Sequence, residues 1–221
     1  MTTELPFRYL TVDGPIGAGK TTLVERLAER FEGVKVLEDV ANPFLEDFYR
    51  DVPGASFQTE LYFLLQRFKQ QRELIQPELF SRLVLADYAF QKNRIFAYIN
   101  LSDDELMLFE KLFMLLEPQV PKPDLVLFLT ADVATCMNRI GKRRMKAERA
   151  IAEEYVGELV DAYNHYYYHY DASPLLVVDT RHLDFATREG DLDELVHQLS
   201  RPIHGTQYWV PVGSFPAEGS R

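Results

Sequence analysis

Short apolar runs recur along the chain from Phe7 to Val12, Val34 to Leu37, Arg82 to Ala86, Asp124 to Leu129 and Leu175 to Val178. The third and fourth carry too few polar alternations for a sheet with one wet face, so the runs predict strands buried on both sides. Helical segments of ten or more residues separate most of them. Thr22 to Phe31 is one, and Phe57 to Leu79 is another, with Leu61, Leu64, Leu65, Phe68 and Ile75 at helical spacings, a stop near Pro77, and Glu60 and Arg67 on its polar face. Strands that alternate with helices predict an α/β fold, a three-layer α/β/α arrangement around five parallel strands.

Between the third and fourth runs, Phe90 to Leu116 is apolar enough for two helices, including Phe96, Leu106, Leu108, Phe109, Leu112, Phe113, Leu115 and Leu116. So wide an apolar face serves either the core or a helix-to-helix subunit interface, and a homodimer through residues 90–117 is the expectation. From His204 the chain is rich in Gly, Pro and Ser. Residues 1–203 are therefore expected to form one domain, and 204–221 a peripheral tail.

Composition narrows the class. The 221 residues are 47% hydrophobic, which suits one large core. Lys and Arg number 24 against 34 Asp and Glu, and the net charge of −10 excludes nucleic acid and anionic membrane as general partners. Any polyanion must bind locally. One cysteine, Cys136, cannot form an internal disulfide, no apolar run approaches the ~18 residues of a membrane span, and Met1 to Pro6 has no secretory character, so a cytoplasmic protein is expected.

Between the first strand and first helix lies Gly14-Pro15-Ile16-Gly17-Ala18-Gly19-Lys20-Thr21, followed by Thr22. It reads G-x-x-x-x-G-K-S/T in the strand-to-helix context of a phosphate-binding loop. Glycines let successive N–H groups face inward as an anion nest, and the helix start aims its positive dipole end at the same point. Lys20 can reach the outer phosphates, and the Thr21 hydroxyl can hold Mg²⁺. ATP and Mg²⁺ are the implied cofactors; a glycine-rich turn without a ligand is the alternative.

Ligands of parallel α/β sheets sit beyond the carboxyl ends of the strands, which draws in Glu38, Asp87 and Thr130. Glu38, expected beside the phosphate-loop strand, could take a proton from an attacking hydroxyl or form a surface ion pair. Asp87 could hold Mg²⁺ or cap a helix before Ala89. The basic run from Arg139 through Arg143 to Arg149 is either a solvated helix face or a lid, about 139–149, that folds guanidiniums over a transferring phosphoryl group. Tyr163, Tyr166, Tyr167, Tyr168 and Tyr170 read as packing and surface. His165 and His169 have metal-ligand spacing but no third ligand nearby.

From about Arg8 to Thr180 the chain resembles the deoxyribonucleoside kinase family, in particular its bacterial deoxyadenosine and deoxyguanosine branch. The likeness rests on the phosphate loop, Leu37-Glu38-Asp39-Val40, Phe48-Tyr49-Arg50-Asp51, Tyr62 through Phe68, Ile95-Phe96-Ala97, and Arg139-Ile140 through Glu148. It implies Glu38 as general base for a nucleoside 5′-hydroxyl, Tyr49 and Glu148 on the 3′-hydroxyl, Phe96 stacked on the base, and Arg139 and Arg143 as lid arginines. The family's base-reading glutamine falls on Glu60, with Gln58 as a nearby alternative, upstream of Arg67.

Two departures stand out. Asp87 is followed by Tyr88 and Ala89 where the family has an arginine and a serine, so Lys92 or Arg94 is expected to supply that charge. Met145 stands in place of a third lid arginine, with Arg144 beside it. The reading is an ATP-dependent kinase of the 5′-hydroxyl of a deoxynucleoside, a purine by resemblance, in which a carboxylate at Glu60 could accept from the N1–H and amino group of guanine. The alternatives are a nucleoside monophosphate kinase of the thymidylate kinase type and a nucleotide-binding module without turnover. No N-K-x-D sequence supports a GTPase.

Overall fold

The computed structural model describes residues 5–74, 82–143 and 151–211. Six parallel strands form one sheet in the order β2 (Val34–Val36), β3 (Val84–Ala86), β1 (Tyr9–Asp13), β4 (Leu125–Thr130), β5 (Leu175–Asp179) and β6 (Thr206–Trp209), with helices on both sides. β1 (Tyr9–Asp13) is buried at all five positions and lies between β3 (Val84–Ala86) and β4 (Leu125–Thr130). β5 (Leu175–Asp179) continues beyond β4. The pairings Thr11↔Ala86 and Asp13↔Phe128 bring the carboxyl ends of the central strands to one rim, where the loops carrying chemistry emerge.

Two expectations change. β2 (Val34–Val36) does not lie beside β1; β3 intervenes and β2 forms the edge. All three residues of β3 are buried whereas Lys35 of β2 is exposed, so β3 suits the interior and β2 the rim of the sheet. The strand count is six, because β6 (Thr206–Trp209) pairs with β5 inside the segment read as a tail. Three of its four side chains are exposed, so no apolar run announces it; β5 offers it a row of unpaired backbone groups, and Trp209 packs on the main core.

The helices place the rest. α1 (Lys20–Phe31) buries Leu23, Val24, Leu27 and Ala28 as one stripe against the sheet. A short α2 (Leu45–Phe48) precedes α3 (Ala55–Glu73), whose buried positions include Thr59, Glu60, Leu64, Arg67 and Gln71. The polar face of α3 is therefore an inward face, turned to a cavity rather than to water. α4 (Lys92–Asn100) and α5 (Asp103–Leu116) fill the apolar stretch, and Ser102 and Glu105 close a capping box at the start of α5. Phe109 and Phe113 of α5 pack with Leu64, Phe90 and Ala97. α6 (Val133–Arg143), α7 (Glu153–Tyr168) and α8 (Glu189–Leu199) complete the order. Among the described residues, no helix is long and apolar enough to cross a membrane.

Candidate active site

The loop after β1 turns through left-handed backbone at Gly17 (φ 84°) and Gly19 (φ 100°). A Cβ at Gly14 would sit 2.4 Å from the Leu129 carbonyl oxygen and one at Gly17 2.6 Å from that of Cys136, so the loop is pressed against β4 and α6. Nothing lies within 4 Å of the corresponding point at Gly19. No side chain caps α1 and no acidic residue occupies its first turn, which leaves its leading N–H groups for an anion. The Lys20 ammonium donates to the carbonyls of Gly14 (2.8 Å) and Pro15 (2.9 Å). Burial and then the Lys92 charge pull its pKa down to about 8, against the pull of Asp13, Glu38 and Asp87.

Asp87, immediately after β3, joins the two halves of the site. Its Oδ2 accepts from the Thr21 hydroxyl at 2.6 Å and its Oδ1 from the Glu38 backbone N–H at 2.7 Å. It caps no helix, since α4 begins only at Lys92. Beneath the loop, Asp13 accepts from the Gly14 N–H and from the Tyr167 hydroxyl (2.7 Å), with the Tyr163 hydroxyl at 3.4 Å. Burial raises the Asp13 pKa against Lys20 and Lys92. The tyrosines of α7 do pack, with Tyr163 and Tyr167 buried beside Phe128, and two of them also hold the root of the phosphate loop.

Beyond Thr21 opens a cavity of about 270 Å³. At its mouth the Glu38 carboxylate is gripped at both oxygens. Arg67 donates to Oε1 through Nε (3.0 Å) and Nη2 (2.5 Å), and Lys92 donates to Oε2 at 2.6 Å. Burial alone would raise the Glu38 pKa, but Lys92 and Arg67 outweigh it and hold the carboxyl well below its usual range. Asn93 fixes the remaining arm of Arg67 at 2.5 Å. Of the two cations proposed to replace the missing arginine, Lys92 meets Glu38, whereas Arg94 pairs with Glu110 on the outer side of α4.

Phe96 also borders the cavity, with the Lys92 ammonium 5.3 Å from its ring centre. At the far wall Asn100 Nδ2 donates to Glu60 Oε1 (2.8 Å) and to the Tyr155 hydroxyl (3.2 Å). Glu60 Oε2 is buried and has no hydrogen-bond partner among the described residues. Burial pushes the Glu60 carboxyl up to about 7, although Asn100, Arg67 and Lys92 favour its ionised form.

Most residues expected at the site meet around this cavity: Ile16, Gly17, Lys20 and Thr21 from the loop, then Glu38, Tyr49, Glu60, Arg67, Asp87, Lys92 and Phe96, with Arg143 from α6. Gln58 is exposed and does not border it, which leaves Glu60 as the residue of α3 at this wall. Arg139 is also elsewhere: its guanidinium donates to the backbone oxygens of Ala18, Thr180 and Leu183 and to the Thr180 hydroxyl. Glu148 and the basic positions 144–149 lie outside the described residues. Asn100 and Tyr155 escaped the sequence reading. Asn100 follows Phe96 by one helical turn and was open to detection by that spacing, whereas Tyr155 arrives from α7 with no local signal. His165 and His169 pack edge to face on an exposed side of α7, and no group of three or more His, Cys, Asp or Glu side chains that could hold a metal ion occurs among the described residues.

The chain as a whole is similar to known proteins. The deoxynucleoside kinase family model matches residues 10–204. Deoxyguanosine kinase of Bacillus subtilis is 34% identical over 202 residues, spanning 88% of this chain and 97% of that protein. Deoxyadenosine/deoxycytidine kinase of the same organism is 31% identical, spanning 90% and 94%. A structure of deoxyadenosine kinase from M. mycoides, solved with dCMP and dCDP, superposes with a TM-score of 0.75 at 25% identity, covering 86% of this chain and 97% of that one. The chain belongs to the deoxynucleoside kinase family and is a deoxynucleoside kinase.

Proposed function

We propose that the protein transfers the γ-phosphoryl group of ATP to the 5′-hydroxyl of a purine deoxyribonucleoside. The observation that carries this reading is the Glu38 carboxylate, held by Lys92 and Arg67 between the Lys20–Thr21 end of the phosphate loop and the Phe96 cavity. The uncapped start of α1 and the open space at Gly19 suit the phosphates, with Lys20 on their outer oxygens. Thr21 and Asp87 form a hydroxyl–carboxylate pair of the kind that takes Mg²⁺, which would neutralise phosphate charge there. In the transfer the 5′-oxygen bonds to phosphorus, the bond to the β-phosphate oxygen breaks, and the hydroxyl proton passes to Glu38 late in a loose transition state. A carboxylate offers about four lone-pair sites, so the hydroxyl adds to Glu38 without displacing its cations.

Arg143, which borders the cavity, takes phosphoryl charge. Arg139, in the position observed, braces the loop through Ala18. Phe96 stacks on the base, and Tyr49, with Glu148, holds the 3′-hydroxyl. Both cations nearest the acceptor are already paired to Glu38, which favours a neutral nucleoside over a monophosphate that would need its own clamp. The test is ADP release with each deoxynucleoside and its monophosphate. Turnover on deoxynucleosides is expected, about 10²- to 10⁴-fold lower in Glu38→Gln. Turnover confined to monophosphates would refute the reading. On the outer side of α5, Met107, Leu108, Leu112, Met114 and Leu115 share one exposed face, and we further propose that a second copy of the chain covers it.

A further inference from the structure

We propose that Asp13 is a positioning residue for the phosphate donor: held by the hydroxyls of Tyr167 and Tyr163, its carboxylate fixes the Gly14 peptide from which the phosphate loop departs. The inference rests on the Proposed function reading that this loop receives the phosphates of ATP. Asp13 is fully buried and, among the described residues, makes no ion pair. Only neutral donors reach it, the Gly14 N–H at 2.9 Å and the Tyr167 and Tyr163 hydroxyls at 2.7 and 3.4 Å. A buried carboxylate without an ion pair is costly, and more so beneath a site for anions, whose charge it opposes. An apolar side chain would fill the same space without that cost, but it could not accept from the Gly14 N–H.

The surroundings aim these bonds. Asp13 pairs in register with Phe128 of β4, and the rings of Tyr163 and Tyr167 stack on Phe128 at interplanar angles of 10° and 20°, which brings both hydroxyls to the carboxylate. Burial and the Asp13 charge keep those hydroxyls protonated, so they donate. Gly14 has a φ of 150°, a conformation that side chains disfavour, and it is pressed against the Leu129 carbonyl, so it has little room to turn another way. Its N–H is spent on Asp13, and its carbonyl takes the Lys20 ammonium at 2.8 Å. One residue is thus tied at both ends, to the last side chain of β1 and to the lysine of the phosphate loop. Asp13 does not border the acceptor cavity. A change at its carboxylate therefore reaches the donor half first.

The measurement is KM for ATP and KM for the deoxynucleoside in Tyr167→Phe, Tyr163→Phe, Asp13→Ala and Asp13→Asn, beside the affinity for inorganic tripolyphosphate by calorimetry, which needs no turnover. Exchange of tyrosine for phenylalanine keeps the rings, including the edge contact of Tyr163 on Phe96, and removes only the hydroxyl. Tyr167→Phe is expected to raise KM for ATP and weaken tripolyphosphate about tenfold, Tyr163→Phe, with the longer bond, less than about threefold, and Asp13→Ala more than about tenfold. In each, KM for the deoxynucleoside should stay within about twofold of wild type, because the acceptor wall keeps its own bonds. Asp13→Asn keeps an acceptor for the Gly14 N–H, while its amide donates to a Tyr167 hydroxyl turned to accept, so it is expected to recover wild-type values to within about threefold. Tyr170→Phe, in the same buried cluster but bonded to Ser173, is the packing control and should move neither constant. Should Asp13→Ala fail to fold, the two phenylalanine variants decide. Equal losses for both substrates, Tyr167→Phe indistinguishable from Tyr170→Phe, or Asp13→Asn as impaired as Asp13→Ala would overturn the inference while leaving the kinase reading intact. A wild type that binds neither ATP nor tripolyphosphate would instead remove the donor reading, and the inference with it.

Discussion

At the scale of single residues, the site is governed by three ionisable groups, Glu60 buried and Glu38 and Lys20 part-buried, whose charges are set by different neighbours. Glu38 stays ionised because two cations outweigh its burial, whereas Glu60, with no direct ion pair, yields to burial. Lys20 is lowered to about 8, so its cation is present below that pH and lost above it. For the free enzyme, kcat/KM for ATP is therefore expected to decline as pH rises through about 8, and a profile flat to pH 10 would exclude Lys20 as the group on the phosphates. Glu60 also bears on stability. Its folded pKa lies above the ordinary 4.5, so its favourable contribution is complete below about 4.5 and is lost as pH rises through about 7. Glu60→Gln is accordingly expected to melt like wild type at acid pH and to exceed it near pH 8 by up to about 3 kcal/mol, read from thermal unfolding at both values.

At the scale of elements, α4 bears one functional side and one outer side. Lys92 and Phe96 face the cavity, while Arg94 points to Glu110 and Phe113 on α5. Lys92→Met removes the partner of Glu38 Oε2 and is expected to lower turnover about ten- to a hundredfold. It also lets the Glu38 pKa rise, so the acid limb of the rate profile should move to higher pH. Arg94→Ala should leave both unchanged to within about twofold, since its ion pair is exposed. Undiminished turnover in Lys92→Met would show that Arg67 alone suffices. α7 couples the halves of the site: Tyr155 touches the Asn100 wall, and Tyr163 and Tyr167 reach Asp13 under the phosphate loop.

At the scale of the whole molecule, the net charge of −10 coexists with a local group of cations, Lys20, Arg67, Lys92 and Arg143, around one cavity, and it is this group that receives the polyphosphate in the function we propose. The opposite concern is the apolar face of α5, where Leu115 is 68% and Met114 58% exposed. If a second copy covers this face, sedimentation should show a dimer, and Leu112→Glu with Leu115→Glu should yield monomers that keep the described fold. A monomeric wild type at micromolar concentration would refute that assembly.

The chain alone determined what depends on neighbouring positions: the phosphate loop with its flanking strand and helix, the buried strands at the centre of the sheet, the amphipathic α1, and the motifs that resemble a kinase family. These are periodic or contiguous features, and period and spacing report on one element at a time. Tertiary structure decided whatever joins distant positions. Lys92, rather than Arg94, meets Glu38 across 54 positions, and Thr21 meets Asp87 across 66. The placement of β3 between β1 and β2, the recruitment of an exposed β6, and the burial of the polar face of α3 follow the same cause. Each depends on which surface arrives opposite in space, and the pairing partner, not the local pattern, then sets whether a charged or polar side chain lies inside or outside.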